Sequence, residues 1–294
     1  MQAQYDNIVM SSALLWLDHT ILNKGKAFTN TSSFFYNVNS LYNGYNTYGS
    51  PFRQFVADES IKNIHSADII NSVNLNSAVT VRGASNFANI NYEQGQVYFS
   101  SAVSNPNTTL SGDFAVKDFN TYITNDLEEK LLFETQFTVR KKTDLTATGL
   151  PPSTMTYPAI FIKNNGSRNE PFAFGGTDQT ETDLRMVVLS DDQYKIDAVG
   201  SILRDKVKTF IPLIPEANMP FNALGDYKNN VQYNYTGLTN TNSPSNVSTT
   251  GVFIDNVYTS KIGGVTYTQK TNINPDVFSM IIDFEISDIR TPRQ

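Results

Sequence analysis

The stretch Phe278-Ser279-Met280-Ile281-Ile282-Asp283-Phe284-Glu285-Ile286-Ser287 decides the fold class. Phe278, Met280, Ile282, Phe284 and Ile286 share one face; Asp283, Glu285 and Ser287 share the other. A period of two marks a strand with one face on a core and one toward water. A similar alternation, Leu131, Phe133, Thr135, Phe137 and Val139 against polar neighbours, predicts a second such strand. Apolar runs at 159–162 and 184–189 supply more strands, with a turn at Asn164-Asn165-Gly166 before a further short run at 171–174. Residues 252–262 and 265–270 flank Gly263-Gly264, which reads as a two-residue hairpin loop.

Two helices stand beside these strands. The first spans 6–23: Ile8, Leu15 and Leu22 recur at sevens, Leu14, Leu17 and Ile21 widen the stripe, and Gly25 is placed as a left-handed stop. The second opens at Ser190, where Ser190-Asp191-Asp192-Gln193 has the form of a capping box. Ile196, Val199, Leu203, Val207 and Phe210 keep its helical spacing until Pro212 and Pro215 end it. Between the helices, short runs at 67–73, 78–81, 96–99 and 114–116 alternate with turn clusters, as in a small sandwich or barrel. Residues 28–48 are Asn-, Ser- and Tyr-rich without a period and read as an ordered, irregular arm; 215–250 reads as a long loop.

The expected fold is therefore α+β. A mainly antiparallel sheet carries two main helices on one face, with a β-rich insertion and long irregular arms. The organisation divides into an N-terminal helix and aromatic arm (1–50), the insertion (51–124) and an α+β core (125–294). Strands and helices do not alternate as they would in a parallel, doubly wound sheet.

Composition narrows the chemistry. Among 294 residues there are 32 Asn, 30 Thr, no Cys and two His, and the net charge is −6. Absence of Cys excludes disulfide scaffolds, thiolate zinc sites and thiol catalysis; two His exclude a three-histidine site in one chain. The low basic count argues against a protein that coats duplex DNA. The most apolar stretch, 8–17, is far below the ~20 residues of a membrane span, and Asp6 sits where a signal peptide would be positive. No membrane partner, signal peptide or cofactor is expected.

No phosphate-cradle, nucleophile-elbow or zinc-helix motif occurs. His19 and His65 read as surface or capping residues. Asp178, Glu181 and Asp183 lack the spacing of a calcium loop and read as a solvated strand entry. Asp283 and Glu285 could pair as acid and base, but a polar outer strand face is the natural reading. Asn125 reads as the cap of a short helical turn carrying Asp126, Glu128 and Glu129. Basic residues cluster at 140–142 and at Arg204, Lys206 and Lys208 on the second helix; either set could line a passage for DNA without reading its sequence.

Three segments carry a resemblance: Leu17-Asp18-His19-Thr20-Ile21-Leu22-Asn23-Lys24-Gly25, Asn91-Tyr92-Glu93-Gln94-Gly95-Gln96-Val97-Tyr98-Phe99 and Asn169-Glu170-Pro171-Phe172-Ala173-Phe174-Gly175-Gly176. With the Cys-free, Asn- and Thr-rich composition, they resemble virion structural proteins of tailed bacteriophages. The element order is similar to ring proteins of the head–tail junction, such as tail terminators. The resemblance implies a non-enzymatic homo-oligomeric ring in the neck or tail-connector region of a virion assembled in the host cytoplasm. Its partners would be itself, neighbouring virion proteins and, at most, passing DNA contacted non-specifically. Subunit contacts would then come from the arm aromatics Phe34, Phe35, Tyr36, Tyr42, Tyr45 and Tyr48, and the DNA-facing charges from Arg204, Lys206 and Lys208. The competing readings are a capsid decoration, baseplate or glycan-binding receptor protein, and a virion hydrolase using Asp283 and Glu285.

Overall fold

In the computed structural model, the described residues are 5–42, 44–84, 86–128, 130–134, 139–141, 155–173, 177–220, 233–240, 251–261 and 277–290. The fold is α+β and mostly antiparallel. Its spine is a six-stranded sheet. In spatial order this contains β14 (Phe210–Pro212), β15 (Gly251–Lys261), β16 (Phe278–Arg290), β13 (Thr177–Ser190), β12 (Ala159–Ala173) and β9 (Asn120–Ile123). Only the β12–β9 pair is parallel. The alternation at 278–286 is seen directly: Met280, Ile282, Phe284 and Ile286 are buried in the main core.

Helix α1 (Tyr5–Gly25) lies on that core face with α4 (Gln193–Arg204). α1 is not a one-sided amphipathic helix. Val9, Ala13, Leu15, Trp16, Leu17, Ile21 and Leu22 surround it with apolar contacts, as expected of a helix wedged between layers. Trp16 meets Phe284 edge-on, with ring centroids 6.0 Å apart. The left-handed residue after α1 is Lys26 (φ 47°), one position beyond Gly25. Gly25 serves instead as the close approach of the two helices: a Cβ there would lie 3.2 Å from Ile202 Cδ1.

Between α1 and β9 the chain builds two four-stranded antiparallel sheets that share an aromatic core. The first runs β1 (Phe28–Phe34), β8 (Leu110–Lys117), β4 (Ser72–Leu75), β5 (Ala78–Val81). The second runs β2 (Tyr36–Tyr42), β3 (Tyr45–Gly49), β7 (Gln96–Phe99), β6 (Phe87–Asn91). Phe55 and Phe114 meet at a tilt, with ring centroids 4.4 Å apart, and Phe35 joins them. Helix α2 (Glu59–His65) and the single turn α3 (Pro106–Thr109) complete the unit.

Several expectations change here. The irregular arm at 28–48 is three strands, so the two-sheet unit starts at Phe28 rather than Pro51. Its pattern was hidden because the inward side of β1 carries Thr31 and Ser33, which are only half-buried. Ser111-Gly112-Asp113, just before the 114–116 run, lies inside β8, and residues 67–71 precede β4 rather than forming a strand. The strand expected at 131–139 begins as a π-helical turn (Lys130–Glu134), followed by the three-residue β10 (Val139–Lys141), which pairs in parallel with β11 (Met155–Tyr157). Leu131 of that turn closes a second, smaller core with Tyr157, Ala159, Phe161, Val187 and Leu189 on the outer face of the large sheet. Asn164-Asn165-Gly166 is not a turn: β12 runs through it with a bulge. The second helix starts after Asp192, whose side chain accepts from the Tyr194 N–H at 2.8 Å; Ser190 is not its cap. It stops at Arg204, because Lys208 is left-handed (φ 61°) and 210–212 pairs with β15. Lys206 and Lys208 are therefore off the helix. The partner of β15 is β16 (Lys261 opposite Met280); Gly263-Gly264 and 265–270 lie outside the described residues. In the loop 215–250, Glu216–Asn218 forms a 3₁₀ turn and Tyr235–Leu238 a single helical turn, α5. No helix of the described residues is long and apolar enough to cross a membrane.

Candidate functional site

The densest polar chemistry lies where α1 meets the two-sheet unit. Asp18 and His19 sit side by side on α1 and enter two adjoining clusters. Asp18 Oδ1 pairs with Lys117 Nζ at 2.7 Å, both nearly excluded from water. The Thr121 hydroxyl donates to Asp18 Oδ1 at 3.3 Å and the Tyr233 hydroxyl to Asp18 Oδ2 at 3.2 Å. Gln54 joins the group. Its Oε1 accepts from the Thr121 N–H at 2.9 Å and lies 3.4 Å from Lys117 Nζ. A buried ion pair holds only when its remaining lone pairs and protons are satisfied, and here helix α1, strands β8 and β9 and residue 233 all supply partners.

The second cluster is built on Asp58, which is fully buried. Its Oδ2 meets His19 Nδ1 at 2.7 Å. Its Oδ1 accepts from the N–H groups of Ser60 and Tyr235, each at 3.0 Å, and from the Ser60 hydroxyl at 2.7 Å. Asp58 is thus the N-cap of α2 and also anchors α5 from far along the chain. The Tyr235 ring stacks on His19, with centroids 4.5 Å apart. Burial and the nearby Asp58 charge push the Tyr235 phenol upward.

Ser60, His19 and Asp58 are the residue types of a hydrolytic triad, but their geometry is different. A triad needs the acid on one imidazole nitrogen and the nucleophile on the other. Here both Asp58 and Ser60 lie on Nδ1, and Nε2 faces the Asn23 amide at 3.4 Å. The Ser60 hydroxyl donates to Asp58 and is buried. The arrangement clamps α1, α2 and α5 together. His65 has a matching role: it ends α2, and its Nε2 lies 2.9 Å from the Asn23 carbonyl near the end of α1.

The outer face of the large sheet carries a charge ladder. Arg185 holds Asp283 through two bonds of 2.6 and 3.1 Å, and reaches Glu128 at 3.2 Å. Lys163 meets the same Glu128 oxygen at 2.7 Å. These donors, Lys163 first, hold the Glu128 carboxyl down at about 2. Asp283 is therefore tied to Arg185, and Glu285 accepts from the Asn256 amide at 2.6 Å. Glu181 is engaged by Arg168. Among the described residues no three His, Asp or Glu side chains converge as metal ligands.

The six aromatics singled out in 28–48 divide. Phe35 and Tyr48 are core residues, buried by Phe55, Phe114 and Phe99, and have no surface to offer a neighbour. Phe34 and Tyr45 are exposed, Tyr36 is half-buried, and the Tyr42 side chain lies outside the described set. The three basic residues do not form a row. Arg204 ends α4. Lys206 is half-buried, and burial together with Lys24 lowers its affinity for a proton. Lys208 sits 5.8 Å above the Phe253 ring and 3.8 Å from Asp255. Arg140 and Lys141 belong to β10, with side chains outside the described set.

Sequence reasoning missed Asp58, Lys117 and Gln54. Asp58 before Glu59-Ser60-Ile61 has the look of a helix cap, which was the available signal; nothing local marks a Lys that will be buried against a helix ninety-odd residues earlier. No family model matches the chain, and no curated protein is significantly similar to it.

Proposed function

We propose that the chain is a non-enzymatic structural subunit of a tailed-phage virion, acting in a homo-oligomeric ring at the neck or tail connector. The observation that carries this reading is how polar and apolar groups are distributed. Chemically capable side chains are spent on clamps: Asp18 on Lys117, Asp58 on His19, Asp283 on Arg185. Of the exposed large apolar side chains, which also include isolated ones such as Leu127 and Tyr194, two groups gather on sheets. Val79, Val81 and Phe34 lie on the first sheet of the insertion. Phe210 and Phe253, opposite each other on β14 and β15, lie on the large sheet. Exposed apolar groups gathered on sheet surfaces favour contact with other protein. Net charge −6 fits at most loose, non-specific contact with DNA.

Mass photometry of the purified chain, alone and with the virion proteins encoded beside it, tests the reading. A defined ring mass is the expected result. A strict monomer that also joins no virion partner refutes it.

A further inference from the structure

The first sheet of the insertion ends in two unusually plain edges. β5 reads Ala78-Val79-Thr80-Val81 and β1 reads Phe28-Thr29-Asn30-Thr31-Ser32-Ser33-Phe34. Neither carries a charge or a proline, and neither shows a bulge in its pairing. Among the described residues no strand pairs with the outer side of either. The large sheet is treated differently: its β12 carries a bulge, Arg168, Glu170 and Pro171, and its β14 is three residues ending in Pro212. Bulges, charges and prolines are the usual means by which proteins prevent edge-to-edge pairing. The chain uses them on one sheet and omits them on the other.

The two plain edges also match. Val79 pairs with Asn74, Asn74 with Ser111, and Ser111 with Phe34, so one row crosses the sheet from edge to edge. All four side chains of that row share the face away from the core, because Val73 and Phe114 beside it are buried inward. Val79 is 69% exposed, Val81 54% and Phe34 42%. The backbone is in phase as well. The N–H groups of Ala115 and Lys117 bond to Asp68 and Gln54, away from β1. Asn30, Ser32 and Phe34, which share that alternation on β1, therefore turn their own N–H and C=O groups outward. On β5, the Arg82 N–H bonds inward to Asn71, which leaves Val79 and Val81 turned outward; the Val81 carbonyl accepts from the Ala84 N–H at 3.0 Å, so the open backbone pair on this edge is that of Val79.

We infer that copies of this chain join head-to-tail by antiparallel pairing of β5 of one copy with β1 of the next. Val79 then exchanges both backbone bonds with Phe34 of the next copy, and Val81, whose carbonyl is held by the Ala84 N–H, lies opposite Ser32 and donates its N–H. Thr80 meets Ser33 on the opposite face, and the exposed valines cover the exposed phenylalanine. The two edges are different surfaces, so the contact is heterologous and repeats around a ring. The inference rests on the ring reading above and specifies which surfaces make the ring.

The chain has no cysteine, so the test is clean. Within one chain, positions 81 and 32 are separated by three strand spacings, roughly 14 Å, beyond the ~7 Å that a disulfide spans. Oxidation of a Val81→Cys/Ser32→Cys double variant should give a denaturing-gel ladder of dimer, trimer and higher species, while each single variant gives no ladder. Val79→Lys, with an unchanged circular dichroism spectrum, should lose the oligomer and leave monomer. An oligomer by mass photometry that neither cross-links nor responds to Val79→Lys overturns this contact and leaves the ring reading standing. A dimer from Val81→Cys alone overturns it in favour of a two-fold β5–β5 pair. A chain monomeric under all conditions, with no ladder, overturns both.

Discussion

Replacing Asp58 tests whether the buried clamp holds the helices onto the insertion. In Asp58→Ala, α2 loses its N-cap, a loss of about 1 kcal/mol. The Tyr235 N–H and the His19 imidazole, both now facing a methyl group, lose their acceptor, at about 1–3 kcal/mol for each buried group left unmade. The sum is about 3–7 kcal/mol. Unfolding entropy near 2.1 cal/mol/K per residue over 294 residues is about 0.6 kcal/mol/K, so the melting temperature should fall by about 5–11 °C. Asp58→Asn is the informative companion. Three of the four donors use Oδ1, which an amide keeps, and His19 can present its other tautomer to the amide nitrogen. Its loss should be a third or less of the alanine loss. Scanning calorimetry of both variants measures this. An Asp58→Ala midpoint within about 2 °C of the parent, or an Asn variant as damaged as the Ala variant, would refute the additive account of the clamp.

Gly95 has φ 62°, and a Cβ there would lie 2.4 Å from the carbonyl oxygens of both Phe52 and Arg53. Gly95→Ala should therefore lower the urea midpoint by more than about 1 kcal/mol of stability, whereas Gly44→Ala, with φ 83° and nothing within 4 Å, should cost less. Glu128 has a folded pKa depressed from 4.5 to about 2 by Lys163 and Arg185. Its contribution to stability is fully present above about 4.5 and is lost as the pH falls toward 2. Carboxyl-detected NMR should show the late titration, and Lys163→Gln should move it back up. Trp16 is the single tryptophan and is buried against Phe284. Its emission should be blue-shifted in the parent and shift red in a Leu17→Asp variant, which undocks α1.

The large sheet was the legible part of the sequence. Strands such as β16 and β13 have one apolar face on a core, and the period of two shows through. β1 was illegible because the side chains between Phe28 and Phe34 are short and polar on both faces, so hydrophobic alternation carries no signal even though every residue pairs with β8. The expected strand at 131–139 failed for the opposite reason: Leu131 and Leu132 are both apolar, and both pack onto the second core from a wide π-helical turn. Val207 and Phe210 extended the helical period of α4 by coincidence and are in fact exposed. The clamp was invisible because Asp18, Asp58 and Lys117 look like ordinary surface charges. Only the fold brings them together, and only their mutual satisfaction makes burial tolerable.

Helix α1 finds its partners late. The Tyr5 hydroxyl bonds to Asp288, 283 residues away, the Ser12 hydroxyl accepts from the Ile214 N–H, and Trp16 waits for Phe284. During synthesis, α2, Lys117 and β9 can cover one side of α1 early, but the side that meets Ile214 and Phe284 stands uncovered until β16 has been made. Contacts at such separation slow folding and expose sticky surface in the meantime. The nascent chain should be a chaperone client, held through α1, until its last long strand closes the sheet.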